Sequence, residues 1–133
     1  MIDMTKKLNI AIVGLGQIGN YLYNELHIKK KDILKKTGKN ISVSAISAKN
    51  INKKRKFKIN KKIFYTNPLE IFKKHKVDIL FEAIGLSDGV SKKIVEKALK
   101  SKVHVITPNK ALISKHGNYL AKLAEKNNVN LEL

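Results

Sequence analysis

Cysteine is missing from the chain. Its absence excludes disulfide staples, thiolate nucleophiles and thiolate metal sites, and it suits a reducing compartment, so a cytoplasmic location is expected. Long apolar runs are missing as well. The opening "MIDMTKKLNIAIVGLGQIG" imitates a secretory leader, with Lys6 and Lys7 ahead of an apolar stretch. That stretch lasts only about seven residues before glycines interrupt it, short for a leader core and far short of the roughly 20 residues that a membrane span needs. It reads as a β-strand, and no membrane partner is expected. No Pro/Gly/Ser-rich linker and no internal repeat divides the 133 residues, 43% of them hydrophobic, so one compact domain is the reading. His27, His75, His104 and His116 are dispersed without metal-ligand spacing, and no carboxylate pair or Ser/His/Asp set suggests itself.

Acidic residues are scarce too, 10 against 28 basic ones, for a net charge of +18. Such an excess invites a polyanion partner, because phosphate neutralisation drives nonspecific nucleic-acid binding. Yet Arg55 is the only arginine, and the lysines come with abundant Ile and Asn, residues that share A/T-rich codons. Base composition can supply this charge. Without interleaved aromatics or base-reading arginines, a nucleic-acid partner is not expected.

Against these absences stands a regular alternation of apolar segments. Leu8–Val13, Ile41–Ser47, Val77–Ile84, Val103–Thr107 and Val129–Leu133 read as strands. Between them lie helical patterns, with Val90, Ile94, Val95, Ala98 and Leu99 on one face, and Leu112, Ile113, Leu120, Leu123 and Ala124 repeating the arrangement. Asn67 and Pro68 mark another helix start in "NPLEIFKKH". The charged stretch Lys49–Lys62 reads as a solvated loop with a short strand, "IFYT", after it. Strands alternating with helices predict an α/β fold, a Rossmann-type doubly wound, mostly parallel sheet in a single domain.

Three strand ends then carry the chemistry. Gly14-Leu15-Gly16-Gln17-Ile18-Gly19 is a G-x-G-x-x-G directly after the first strand and at the head of a helix. Gly14 permits the tight turn, Gly16 lets backbone approach a diphosphate, Gly19 lets helix and strand pack closely, and the free N–H groups of the helix start favour the phosphate charge. This predicts a bound dinucleotide. At the end of the second strand, "SAISAKN" has no acid for ribose hydroxyls; Lys49, helped by Lys53, Lys54 or Arg55, suits a 2′-phosphate, so NADP is preferred and NAD stays open. Further along, Gly85 leaves the fourth main strand, where it allows close backbone approach or simply makes a turn. Ser87 and Asp88 read as caps of the next helix, and Glu82 as a hydrogen-bonding strand residue. Lys110, after "VITPN", stands in a first helical turn, where the dipole disfavours a cation. At that edge it can hold a cofactor or substrate oxygen and, if partly desolvated, exchange a proton, or it is a solvated surface lysine.

Taken in order, "IAIVGLGQIG", "ISVSAISAKN", "VDILFEAIGLSDG" and "VHVITPNKALISKHG" resemble the N-terminal NAD(P)-binding domain of homoserine dehydrogenase over nearly the whole chain. "GLSDG" and "TPNKAL" followed by "HG" are more discriminating than the glycine turn. The resemblance implies an enzyme of threonine and methionine biosynthesis that reduces L-aspartate 4-semialdehyde to L-homoserine with NADPH or NADH. It implies that Lys110 lies at the active site and takes part in proton transfer, that Gly14, Gly16 and Gly19 carry the diphosphate with Gln17 and Ile18 beside it, and that Lys49, commonly arginine in NADP-using members, meets the 2′-phosphate. Leu86 departs from the family, which often has a second glycine there. The substrate and dimerisation domain expected from the family is not in residues 1–133, so this part is expected to bind cofactor without completing turnover. An alternative of another class is a non-catalytic dinucleotide-sensing regulatory domain, in which Lys110 affects affinity alone.

Overall fold

Six strands, all parallel, lie in the order β3-β2-β1-β4-β5-β6 in the computed structural model, which describes residues 7–133. Residues 1–6, with Lys6 of the leader-like stretch, lie outside the described residues. The strands are β1 (Lys7–Val13), β2 (Asn40–Ser47), β3 (Phe64–Tyr65), β4 (Ile79–Glu82), β5 (His104–Ile106) and β6 (Leu131–Glu132). The helices are α1 (Gln17–Ile28), α2 (Lys30–Thr37), α3 (Ile71–Lys74), α4 (Val90–Lys100) and α5 (Lys110–Lys126). The doubly wound parallel sheet read from the sequence is therefore present, with its later strands trimmed at their ends.

β1 shows why the alternation pays no heed to polar spacing. Its side chains point alternately to two covered faces, so both sets must be apolar. Ala11 and Val13 join Leu80, Ile94, Val95, Leu99, Val105 and Leu112 in a core beneath α4 and α5. Ile10 and Ile12 join Tyr23, Ile41 and Ile46 beneath α1 and α2. From β1 the chain winds outward to β2 and β3, then returns to β4 on β1's other side. That reversal opens a crevice at the carboxyl ends of β1 and β4, where open α/β sheets take their ligands.

The sequence reading names no element over "KKDILKKT", where α2 lies; this helix contains no buried residue, is supported by an Asp32–Lys36 pair at 3.2 Å, and ends on Gly38 at φ +73°. One local reading needs correction. "NPLEIFKKH" begins with Asn67 as a cap, its side chain accepting from Leu69 N–H at 3.1 Å, but runs through a 3-10 turn at Pro68–Glu70 before the single turn of α3.

The charged stretch 49–62 is a loop, but a fastened one. Buried Asn20 of α1 donates its side-chain N–H to Phe57 O at 2.9 Å and accepts from Phe57 N–H at 2.9 Å. Asn60 N–H donates to Tyr23 Oη at 3.0 Å, and Ile59 packs on the core under α1. Asn20→Ala leaves both Phe57 backbone groups without those partners and should lower the unfolding free energy by about 1–3 kcal/mol. Urea titration measures that loss, and faster amide exchange at Phe57 locates it; unchanged stability and exchange would show that the loop is held by other contacts.

Candidate functional site

At the end of β1 the three motif glycines do different work. Gly14, at φ +93°, donates N–H to Ser47 O at 2.8 Å, and a Cβ on it would sit 2.6 Å from Ala83 C. A Cβ on Gly19 would lie 1.8 Å from Gly14 O. Both positions are closed by neighbouring backbone, so these glycines let the β1–α1 turn rest on the end of β4. Gly16 is the opposite case. It precedes α1 at φ −69°, a Cβ on it would meet nothing within 4 Å, and no side chain caps the helix start. Open space faces backbone N–H groups, which is the cradle a diphosphate requires.

Around that cradle the predicted residues divide among adjoining cavities. One of about 650 Å³ is lined by Gly14 and Gly16, by Ser47 at the end of β2, by exposed Lys49 and Lys53 and half-buried Arg55 from beyond it, and by Leu86 and Val90. Another, of about 270 Å³, brings together Ile18, Gly85 and Lys110 with Glu82, Pro108 and Asn109. Gln17 lies on neither; with Gly16, Ile18 and Lys54 it lines a third hollow of about 590 Å³ between α1 and the charged loop. Two of these cavities set lysines beside the open backbone of the glycine turn, which suits an extended anionic ligand. The residues present thus fit a dinucleotide.

Lys110 is positioned by a buried network that its own sequence neighbours only hinted at. Glu82, fully buried, accepts from Ile84 N–H and Gly85 N–H at 2.9 Å each and from Thr107 Oγ1 at 2.6 Å. Thr107 Oγ1 accepts from Asn109 N–H at 3.0 Å, and Asn109 caps α5 by accepting from Leu112 N–H at 3.0 Å while donating to Leu86 O at 2.7 Å. The ends of β4 and β5 are locked together, and exposed Lys110 opens the helix immediately after. The sequence reading missed Thr107 and Asn109; an Asn directly before an apolar helix was the available sign.

Ser87 and Asp88 are not caps. Gly89, at φ +65°, occupies the cap position of α4 with no side-chain bond, and Ser91 Oγ instead accepts from Leu86 N–H at 3.0 Å. Asp88 turns across to α5, where it pairs with Lys115 Nζ and with His116 Nε2 at 2.7 Å. His116 is therefore a hydrogen-bond partner of Asp88 that ties α5 to the loop before α4. Hydrogen bonds from Lys115 and then His116 hold the Asp88 carboxyl down from 3.8 to about 2.

A depressed carboxyl stabilises the folded state above its unfolded value and loses that contribution as pH falls through its folded value. The Asp88 tie should therefore be intact above 3.8 and released around pH 2. Carboxyl ¹³C shifts should give a midpoint near 2, raised toward 3.8 by Lys115→Ala or His116→Ala; an ordinary midpoint in the unsubstituted protein would contradict the pairing. For the glycines, Gly19→Ala should cost on the order of 3 kcal/mol in urea unfolding through its clash, whereas Gly16→Ala, with room and a permitted φ, should stay within about 1 kcal/mol.

A family profile described as "Homoserine dehydrogenase, NAD binding domain" matches residues 14–133. The homoserine dehydrogenase of Neisseria gonorrhoeae is 32% identical over 124 residues, which are 93% of this chain and 28% of that protein. That of Pseudomonas aeruginosa is 33% identical, over 91% of this chain and 27% of its own length. A crystal structure of S. aureus homoserine dehydrogenase superposes with a TM-score of 0.88 at 34% identity, covering 96% of this chain and 33% of that one. The chain spans less than a third of the curated relatives' length, but profile, relatives and fold agree over almost all of its own. It belongs to the homoserine dehydrogenase family, as that family's NAD-binding domain.

Proposed function

We propose that this chain is the cofactor-holding part of a cytoplasmic homoserine dehydrogenase that reduces L-aspartate 4-semialdehyde to L-homoserine, in threonine and methionine biosynthesis, with NADP preferred over NAD. The observation that carries the proposal is the meeting, at the sheet's reversal, of an open glycine-flanked helix start with Lys110 across a cavity that Ile18 and Gly85 share. The alternative of a dinucleotide-sensing regulatory domain gains no support from the relatives.

When bound, the nicotinamide dinucleotide would supply the hydride. Gly14 and Gly19 shape the turn, and the backbone at Gly16, Gln17 and Ile18 would hold the diphosphate. Lys49, with Lys53 beside it on the larger cavity, would meet a 2′-phosphate. Gly85, whose added Cβ would meet nothing within 4 Å, leaves space against the smaller cavity. Lys110 would hold a proton at Nζ for the substrate oxygen. It is exposed in this chain, so a substrate domain laid over the sheet edge would both present the semialdehyde and exclude water from the transfer.

The test uses an enzyme completed with a substrate domain. Lys110→Ala should lower kcat by about 10²–10⁴-fold, the usual range for a positioned proton donor. Dinucleotide affinity, measured on the same variant by nicotinamide fluorescence, should change far less. Normal semialdehyde reduction without the Lys110 side chain would remove the proton-transfer role. Equal loss of affinity and rate would make Lys110 a binding residue only.

A further inference from the structure

Lysine is the default cation of this chain, and Arg55 alone among the 28 basic residues departs from it. The structure gives that exception a reason. Arg55 Nε donates to Leu15 O at 3.3 Å, Nη1 to Lys53 O at 3.1 Å and to Ile51 O at 3.4 Å, and Nη2 to Asn50 O at 2.7 Å. These carbonyls belong to two segments distant in sequence, the glycine turn and the loop after β2. Only a planar fork of five N–H donors spans them; a lysine ammonium concentrates its donors at one point.

Two features of the site hang on this fork. A peptide plane points its C=O and N–H in opposite directions, so fixing the Leu15 carbonyl fixes which way the Gly16 N–H faces. The same fork gathers Asn50, Ile51 and Lys53 against the turn, which sets where Lys49 and Lys53 stand on the wall of the cavity of about 650 Å³. Most of the guanidinium's donors are engaged with backbone, so it acts through what it holds.

We propose that Arg55 is the positioning residue of this site, a tether between the loop after β2 and the glycine turn that orients the Gly16 amide and places the lysines that distinguish NADP from NAD. The proposal rests on the dinucleotide reading of the cavity. It differs from a direct phosphate contact in one measurable respect. A phosphate contact needs a positive charge, which lysine retains; a tether needs the fork, which lysine lacks.

The experiment compares Arg55→Lys, Arg55→Ala and Lys49→Ala by titrating NADPH and NADH at low and physiological salt, with the Gly16 amide ¹⁵N shift recorded before ligand is added. Loss of charge-assisted hydrogen bonds corresponds to about tenfold in affinity. Arg55→Lys should be as weak as Arg55→Ala, both losing about that factor for NADPH and a smaller part of it for NADH. Both should move the ligand-free Gly16 signal, while Lys49→Ala weakens NADPH alone and leaves that signal in place. Should Arg55→Ala fail to fold, the comparison of Arg55→Lys with the unsubstituted protein still decides. Near-normal NADPH affinity in Arg55→Lys, or an unmoved Gly16 signal, would overturn the tether. If the unsubstituted protein binds neither nucleotide, the dinucleotide reading fails and the selectivity claim with it; a Gly16 signal still shifted by Arg55→Lys would then show that the fault lies in the ligand, not in the fork.

Discussion

Three stretches of backbone meet at the carboxyl end of β1, and nothing larger than hydrogen fits between them. Gly14 lies against the Ala83–Ile84 peptide, and Gly19 brings α1 onto the Gly14 carbonyl. Every other part of the site is measured from this contact. It sets the height of α1 over the sheet, and hence the place where the helix's free N–H groups open. It also clamps β1 to β4 where the strand order reverses, so the crevice of the fold is shaped by main chain, which cannot swing aside as a side chain can.

The second fixed point is the Glu82 carboxylate. Buried polar groups are tolerated when every acceptor finds a donor, and this one collects backbone N–H groups from just past its own strand and a hydroxyl from Thr107, just past β5. Through Thr107 and Asn109 the same network reaches the first turn of α5. Leu86, held by Asn109 on one side and Ser91 on the other, cannot drift from it. Asp88 adds a third tie to α5 at the surface, where charge pairs contribute less because water screens them. The loop after β4 is thus fastened deep inside by buried hydrogen bonds and at the surface by an ion pair.

What could be read from the sequence follows from which contacts are local. The strands around β1 were legible because both faces are covered and β-branched residues run without polar interruption. The glycine turn was legible because a strand, a turn and a helix succeed one another within a few residues. α2 was hidden by its lysines: a helix that buries nothing fully leaves no apolar stripe to count. Asp88 was misread because "SDG" before a helix looks like a cap, and its true partners lie 27 and 28 residues away. The fastening of the charged loop was invisible for the same reason, since Asn20 and Phe57 are 37 residues apart.

An excess of lysine makes each single lysine a weak signal, and helix position does not rescue it. α2 also opens on a lysine, Lys30, so the unfavourable dipole at α5 does not by itself set Lys110 apart. The difference lies in what stands behind each. Lys30 follows an exposed junction, and Asp32 in the same turn offsets its charge. α5 has no acid in its first turn, and Lys110 follows two buried polar residues whose hydrogen bonds run back to a buried carboxylate at the crevice. A surface cation gains nothing from so rigid a mount. That mount suits the proton donor proposed for this position, because close placement is what proximity contributes to a reaction.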